Sequence, residues 1–404
     1  MKRFDLPSSF VREACCLCGS PKLIPLWDLT NFPFTDTIGQ YEIEYPTVSQ
    51  TLVICSDCEM VQLLIVVDPE FLYSALNYSY DRPDGEKIVS ESLCYRELLN
   101  EFIPKIRKNT IHLLEIGGSS DLFLNKISDL FDIGIIIDPV PRLSTLNNPK
   151  ISFVSGFMEN NFDLILENKV NVIVCRHVIE HVKNPVEFMT SLIDNVNSDG
   201  LLIFETPNFN SLIEKSRFDA IFHQHVNYFN PKTFRLLIEK SGGEVLKEIV
   251  LDSGSNGGVM IFIIRKMESK FDIVKEFGTD IDSTSMIEKF TLELSHFENS
   301  MIGIGTILDS LRGDFYCIGA GSLLPTLNYH LGGRIENSLG VIDDNLKKSG
   351  LSYKNVQVSI KSPEAASKVV SMNCLITSLE NRKTLYARAR MLGFERIVYL
   401  PPLD

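Results

Sequence analysis

The fold class this sequence predicts is an open α/β sheet, with a small cysteine-rich unit before it and a second α/β unit after it. Three observations lead there. Residues Ile111 to Asp138 read as strand, Gly turn, helix and strand, with a carboxylate at the tip of the second strand. Strands and helices then alternate as far as an antiparallel pair spanning Gly243 to Arg265. Two Cys-x-x-Cys pairs precede this region, and another Gly-rich turn with an acidic tip follows it between Gly319 and Asp343. The expected units are residues 1–70 (cysteine-rich), 71–266 (central sheet) and 267–404 (helical connector and second α/β unit).

Composition narrows the function classes. At 404 residues and 44% hydrophobic content the chain can build two or three cores. A net charge of −13 argues against a polyanion-binding surface, so no nucleic-acid partner is expected. No apolar run approaches the roughly 20 residues of a membrane span, and the first residues lack a signal-peptide core. The expectation is a cytoplasmic protein with no membrane partner, as a monomer or small homo-oligomer.

In chain order, Cys15-x-x-Cys18 and Cys55-x-x-Cys58 come first. Two such knuckles can present four thiolates tetrahedrally to a structural Zn²⁺, leaving no open position for a substrate. Cys16 is surplus; Cys94, Cys175, Cys317 and Cys374 are isolated and read as small buried hydrophobes. Short strands and turns fill the interval between the knuckles. A helix begins at Pro69, a polar aromatic loop runs from Asn77 to Pro83, and a long amphipathic helix covers Glu86 to Arg107. Tyr78 and Tyr80 in that loop either close over a ligand or anchor a linker.

The strand Ile111 to Ile116 ends in Glu115-Ile116-Gly117-Gly118, and the helix after it places Leu122, Leu124, Ile127 and Leu130 on one face. A carboxylate at Asp138 can accept from both hydroxyls of a ribose, and the Gly turn admits a ligand close to the backbone. The dinucleotide fingerprint G-x-G-x-x-G is absent. The form E-x-G followed by small and polar residues resembles the first motif of S-adenosylmethionine (SAM) methyltransferases. Further strands are expected at Ile151 to Val154, Val170 to Cys175 and Leu201 to Phe204, a helix at Pro231 to Ser241, and the closing pair at Gly243 to Val250 and Gly258 to Arg265. Five β/α units with an antiparallel end fit the seven-stranded methyltransferase sheet better than a pure dinucleotide fold.

Four of the seven histidines fall at the carboxyl edge of this sheet: His177 and His181 after the fourth strand, His223 and His225 after the fifth. Histidine suits general-base work near neutral pH. A His-only metal site is the competing reading, set lower because His223 and His225 are taken to face opposite ways. At least two of the four are expected to bond loop backbone instead.

The ordered set Cys15-x-x-Cys18-Gly19, Cys55-x-x-Cys58, Glu115-Ile116-Gly117, His223-x-His225 with Tyr228-Phe229, and Gly319-Ala320-Gly321 with Asp343-Asp344-Asn345 resembles the sugar-nucleotide C-methyltransferases, over nearly the whole chain. The resemblance implies a class I SAM-methyltransferase (Rossmann-like) sheet, an N-terminal zinc-binding domain and a C-terminal Rossmann-like domain that helps bind a nucleotide-linked deoxy-4-keto sugar. It also implies deprotonation next to the ketone, at C-3′, followed by attack of the enolate carbon on the SAM methyl group. The site residues so implied are His225 as base with Gln224 and His181 beside it. SAM would be held by Glu115, Gly117, Gly118, Ser120, Asp138, Pro139 and His177. The acceptor would meet Tyr78, Asn208, Phe222, His223, Tyr228, Gly321 and Asp343. Where family members read Tyr-His-Glu-His, this chain has Phe222-His223-Gln224-His225. O-methylation of a sugar hydroxyl on the same fold is the nearest alternative. A binding protein without turnover and an NAD-dependent oxidoreductase are the others.

Overall fold

Strands buried on both faces organise the centre of the molecule. A computed structural model describes residues 7–35, 38–39, 45–73, 86–106, 110–140, 148–252, 255–267, 283–366 and 373–399. Seven strands form the main sheet: β1 (His112–Ile116), β2 (Ile133–Asp138), β3 (Ile151–Ser155), β4 (Val172–Arg176), β5 (Leu201–Pro207), β6 (Gly243–Leu251) and β7 (Val259–Lys266). Every residue of β5 is buried, as its near-continuous apolar run requires of a strand covered by helices on both sides. The spatial order is β6-β7-β5-β4-β1-β2-β3. β7 runs antiparallel to both β5 and β6, and the remaining pairs are parallel. The sheet therefore has the antiparallel end expected from the sequence. Its strand order reverses between β1 and β4, and ligands of open α/β sheets bind beyond the carboxyl ends at such a switch point.

Two helices differ from the sequence reading. The helix after the Gly turn covers only Leu122–Lys126, not the roughly two and a half turns of periodicity reaching Leu130. The guanidinium of Arg96, on the preceding helix, captures the Lys126 carbonyl and also pairs with Asp129, so the helical ladder stops there. The long helix Glu86–Phe102 ends at Phe102, where Pro104 leads into a 3-10 turn, while Arg107 lies outside the described residues.

The cysteine-rich unit does not close its own sheet. Leu23–Leu29, Gln50–Cys55 and Val61–Leu63 pair antiparallel, and the fourth strand is Asn227–Tyr228, from beyond β5. On the other side, helix Ser283–Leu311 is about 44 Å long at 1.5 Å per residue. Its buried stripe of Phe290, Leu294, Phe297, Met301, Ile304 and Leu308 follows helical spacing. It leads to a parallel sheet in the order Ile360–Lys361, Val341–Ile342, Tyr316–Ile318, Asn373–Ile376, Arg396–Val398.

One apolar core joins all three units. Phe32 and Leu52 from the N-terminal sheet, Phe218 and Tyr228 from the central unit, Phe290 and Phe297 from the long helix, and Leu324 and Val356 from the C-terminal unit lie in it together. Each fully buried Phe contributes roughly 1.5–3 kcal/mol, against roughly 0–1 for an exposed ion pair, so this core dominates the union. Polar links follow it: Tyr329 Oη donates to Thr30 O at 3.0 Å, and Thr326 Oγ1 to Asp219 O at 2.9 Å. Among the described residues no helix is long and apolar enough to cross a membrane.

Candidate functional site

At the switch point the chain must turn away from two buried strands, and both exits adopt left-handed backbone. After β1, Gly117 has φ +77°, and a Cβ there would stand 2.3 Å from Val178 Cγ2. After β4, His177 has φ +52°, and its N–H donates to Glu205 O at 2.9 Å. Between them opens a cavity of about 120 Å³. Gly117, Asp138, Pro139 and Met158 line one part of it, His177 and His181 another.

Behind His177 lies a buried ionic cluster. Its Nδ1 is 3.1 Å from Glu180 Oε1, and its Nε2 is 2.9 Å from Glu205 Oε1. Tyr95 Oη donates to Glu205 Oε2 at 2.8 Å, and Thr206 Oγ1 to Glu180 Oε2 at 3.1 Å. Burial opposes a charge on His177, but its bonds to Glu180 and Glu205 prevail and raise the imidazole to about 9. Burial likewise pushes both carboxyls up, and the bonds from His177 hold each down at about 2. At neutral pH this wall is a histidinium clasped by two carboxylates.

Burial disfavours the charged form of His181 and His225. His181 Nδ1 is 2.8 Å from Gln224 O, and because a carbonyl only accepts, the proton sits on Nδ1. His225 meets His181 edge-on at 4.8 Å between ring centres and lies 4.1 Å from the Phe222 ring. Burial lowers the pKa of both, most strongly for His225, which also faces His181. His181 stands on the cavity wall; His225 lies behind it, 5% exposed.

The structure thus brings His177, His181 and His225 together, and leaves His223 out. His223 contacts Gln50 Nε2 at 3.0 Å and Phe32 O at 3.2 Å, and burial lowers it to about 4. An extended strand would have put residues 223 and 225 on one face. They diverge because the segment turns, with His225 N donating to Phe222 O at 3.0 Å. Gln224 points to the N-terminal unit as well, its Oε1 accepting from Thr35 Oγ1 at 3.0 Å. Tyr228 Oη accepts from Phe222 N at 3.2 Å, and Asn208 caps helix Phe209–Glu214.

Of the residues read as cofactor ligands, Gly117, Asp138, Pro139 and His177 border the cavity. Glu115 is buried beneath the turn, 2.8 Å from Arg176 Nη2, while Gly118 and Ser120 are not on the cavity wall. In the C-terminal unit, Asp343 accepts from Ala320 N and Asn345 N, each at 2.8 Å, and Gly321 O accepts from Tyr353 Oη at 2.7 Å. Tyr78 lies outside the described residues.

The four cysteines converge. Cys15 and Cys58 Sγ are 3.5 Å apart, as are Cys18 and Cys55 Sγ, and all four lie within 4.8 Å of one another. A zinc–sulfur length of about 2.3 Å sets sulfurs about 3.8 Å apart at the corners of a tetrahedron, so the donor set fits. The spacing also exceeds the roughly 2.05 Å of a disulfide. Cys16 stands apart from the four, its Sγ donating to Asn227 Oδ1 at 3.4 Å. Glu180, His181 and His225 also cluster within 4.8 Å, but His177 and Thr206 already occupy the two Glu180 oxygens, and Gln224 O occupies His181 Nδ1.

Sequence reasoning missed the roles of Glu180, Glu205, Tyr95 and Arg176. The available signal was a carboxylate or cation next to an apolar strand end, where a charge is held only with partners.

Residues 89–248 match the family model described as a methyltransferase domain. The chain is similar to the C-methyltransferase NovU of Streptomyces niveus, 23% identical over 261 residues, which are 62% of this chain and 60% of that protein. It is also 29% identical over 148 residues to the ubiquinone biosynthesis O-methyltransferase of Rickettsia bellii (strain OSU 85-389), covering 34% of this chain and 60% of the relative. The chain therefore spans about 60% of the length of these relatives. Among solved structures, the N-methyltransferase NodS from Bradyrhizobium japonicum WM9 aligns with TM-score 0.34 and 16% identity, over 46% of this chain and 100% of that one.

Proposed function

We propose that this protein is a SAM-dependent methyltransferase that C-methylates a nucleotide-linked deoxy-4-keto sugar at the carbon next to its ketone. The observation that carries the reading is the cavity running from Gly117 and Asp138 to His181, with His225 packed on that imidazole. The methyltransferase-domain match and the similarity to a C-methyltransferase support it.

Asp138 would hold the cofactor's ribose, Gly117 would admit its backbone-facing side, and Pro139, Phe157 and Met158 would pack its base. When bound there, SAM supplies an electrophilic methyl group on a sulfonium. The surroundings of the cavity suit that cation: Glu115 and Arg176 pair with each other, His177 faces the two carboxylates of Glu180 and Glu205, and Asp138 adds an acidic group on the wall itself. In the resulting scheme a neutral imidazole of the His181–His225 pair takes the proton from the sugar carbon. His225 is the base by motif position. His181 is favoured instead by its place on the wall. Burial favours the neutral form of either ring, which leaves it able to accept a proton but lowers its basicity. We further assign Cys15, Cys18, Cys55 and Cys58 to one structural Zn²⁺, which would fold the unit that supplies sheet partners to Asn227–Tyr228.

The test is incubation with SAM and a panel of nucleotide-linked 4-keto sugars in deuterated water. The expected product carries its methyl on the carbon next to the ketone, and deuterium exchanges into that carbon without SAM. His181→Ala and His225→Ala should identify the base by a loss on the order of 10²–10⁴-fold in kcat. An O-methylated product formed without need of a ketone would sink the C-methyl reading. That outcome is the second reading, favoured by the side chain of Gln224, which is committed to Thr35 rather than to the histidine pair.

A further inference from the structure

We infer that Arg12 positions the His181–His225 pair, an inference that rests on reading that pair as catalytic. Arg12 follows the short strand Ser9–Val11 and precedes Cys15 by three residues; its N–H donates to Leu64 O at 2.8 Å. The side chain is only 6% exposed and reaches across the molecule. Nη1 donates to Val226 O at 3.0 Å and to Gln62 Oε1 at 3.4 Å, and Nη2 to Lys183 O at 2.9 Å and to Asn227 Oδ1 at 3.1 Å. Val226 directly follows His225, and Lys183 lies two residues after His181. One planar fork therefore grips the backbone just beyond both imidazoles.

Asn227 completes the grip. Its Oδ1 accepts from Arg12, and its Nδ2 donates to Ile179 O at 3.1 Å and Val182 O at 2.7 Å, on either side of His181. Val226 N adds a bond to Glu180 O at 2.9 Å. The acceptors of Arg12 are carbonyl and amide oxygens, whereas the buried Arg176 and Arg217 each pair with a carboxylate. The rigid fork of a guanidinium is valuable where two carbonyls must be held at a fixed spacing. The N-terminal unit thus does more than pack on the central sheet: it carries this fork into the junction of the two histidine loops. A displacement of about 1 Å at reacting groups costs on the order of 10²-fold in rate, which sets the expected effect of losing it.

The experiment compares the zinc-loaded full chain with Arg12→Ala and Arg12→Lys, each carrying isotope-labelled histidine. Imidazole nitrogen resonances, zinc content, SAM affinity and kcat are read on each. In Arg12→Ala the His181 and His225 resonances should move and the Nδ1–H tautomer of His181 should be lost, while His223 and His330 stay in place. Zinc content and SAM affinity should hold, and kcat should fall on the order of 10²-fold. Unmoved His181 and His225 resonances in folded Arg12→Ala would overturn the inference. If that variant does not fold, Arg12→Lys decides the matter, since its ammonium keeps the charge but cannot span both carbonyls; unmoved resonances there overturn it equally. A parent protein that methylates none of the acceptors would sink the catalytic reading of the pair, and the imidazole signals would still decide whether Arg12 positions it.

Discussion

The central and C-terminal units share one sequence pattern and put it to different uses. Each has a strand, a Gly-rich turn, a helix and a second strand with an acidic tip. In the central unit the turn at Gly117 and the tip at Asp138 both border a cavity of about 120 Å³. In the C-terminal unit the tip folds back into its own turn, with Asp343 taking the Ala320 N–H and Lys348 Nζ lying 3.7 Å from its carboxylate. A Gly turn with a downstream carboxylate is therefore a scaffold that serves a ligand only where its donors face open space. The pattern alone does not distinguish the two cases.

The largest effect expected from this contrast is at the glycines. At Gly117 a methyl group would collide with Val178 Cγ2 and the backbone would stay left-handed. Gly117→Ala should cost roughly 2–4 kcal/mol and remove SAM binding. At Gly319, the matching position of the C-terminal turn, a Cβ would stand 2.7 Å from Leu385 Cδ1 and the backbone is also left-handed, at φ +101°. Gly319→Ala should cost a similar roughly 2–4 kcal/mol but leave SAM binding unchanged. Denaturant unfolding and SAM calorimetry on both variants check the pair; a loss of SAM affinity in both would erase the contrast.

The acidic tips come next. Asp138→Ala removes a carboxylate from the cavity and should weaken SAM binding by roughly 10–100-fold, the worth of one or two charge-assisted hydrogen bonds. Asp343→Ala should leave SAM affinity unchanged and instead cost about 1–2 kcal/mol of stability, because Ala320 N loses its acceptor. Titration calorimetry with SAM separates the two, and a matching loss of affinity in both would show that the C-terminal turn also serves the cofactor.

A smaller and pH-dependent effect belongs to the central unit. His177 is raised to about 9 from an ordinary value of 6.5, so its stabilisation is complete below about 6.5 and disappears as pH climbs through 9. Glu180 and Glu205 are lowered to about 2, so theirs is present above about 4.5 and is lost as pH falls toward 2. The cluster should be strongest between about 4.5 and 6.5, with at most about 3 kcal/mol at stake on the alkaline side. His177→Gln should flatten the decline of stability between pH 6.5 and 9, and Asp343→Ala should leave that decline in place. Melting temperatures across this range provide the measurement.

What could be read from the sequence, and what could not, follows the range of the interactions. The strands β1 to β7, the Gly117 turn, Asp138 and the four converging cysteines are each encoded by local period or spacing, and the fold places them as that spacing requires. The fates of His223 and Gln224 are set by Gln50 and Thr35, 173 and 189 positions away, and no local pattern carries such a partner. Arg12 bonds Val226 across 214 positions and passes unnoticed in a polar N-terminal stretch for the same reason. The ionic cluster was half legible: the segments holding Glu180 and Glu205 stood out, but only the sheet order puts the ends of β4 and β5 side by side.

The smallest effect concerns a second internal pair, the two cysteine knuckles. Each closes through the same bonds: Gly19 N donates to Cys15 O and Glu59 N to Cys55 O, both at 2.9 Å. Both closing residues are left-handed, Gly19 at φ +81° and Glu59 at φ +62°. A Cβ at Gly19 would meet nothing within 4 Å, so Gly19→Ala tests the backbone penalty without a clash and should cost about 1 kcal/mol. Glu59 already carries that penalty, and its carboxylate pairs with Lys232 at 2.7 Å on helix Pro231–Lys240. Glu59→Gly relieves the backbone by roughly 1 kcal/mol but forfeits an ion pair worth roughly 0–1 and adds freedom to the unfolded chain worth roughly 0.5–1. Its net effect should therefore lie near zero, and unfolding of the zinc-loaded variants can compare the two. A large loss in Glu59→Gly would mean that the bond to Lys232 fastens the second knuckle to the central unit more firmly than an exposed pair should.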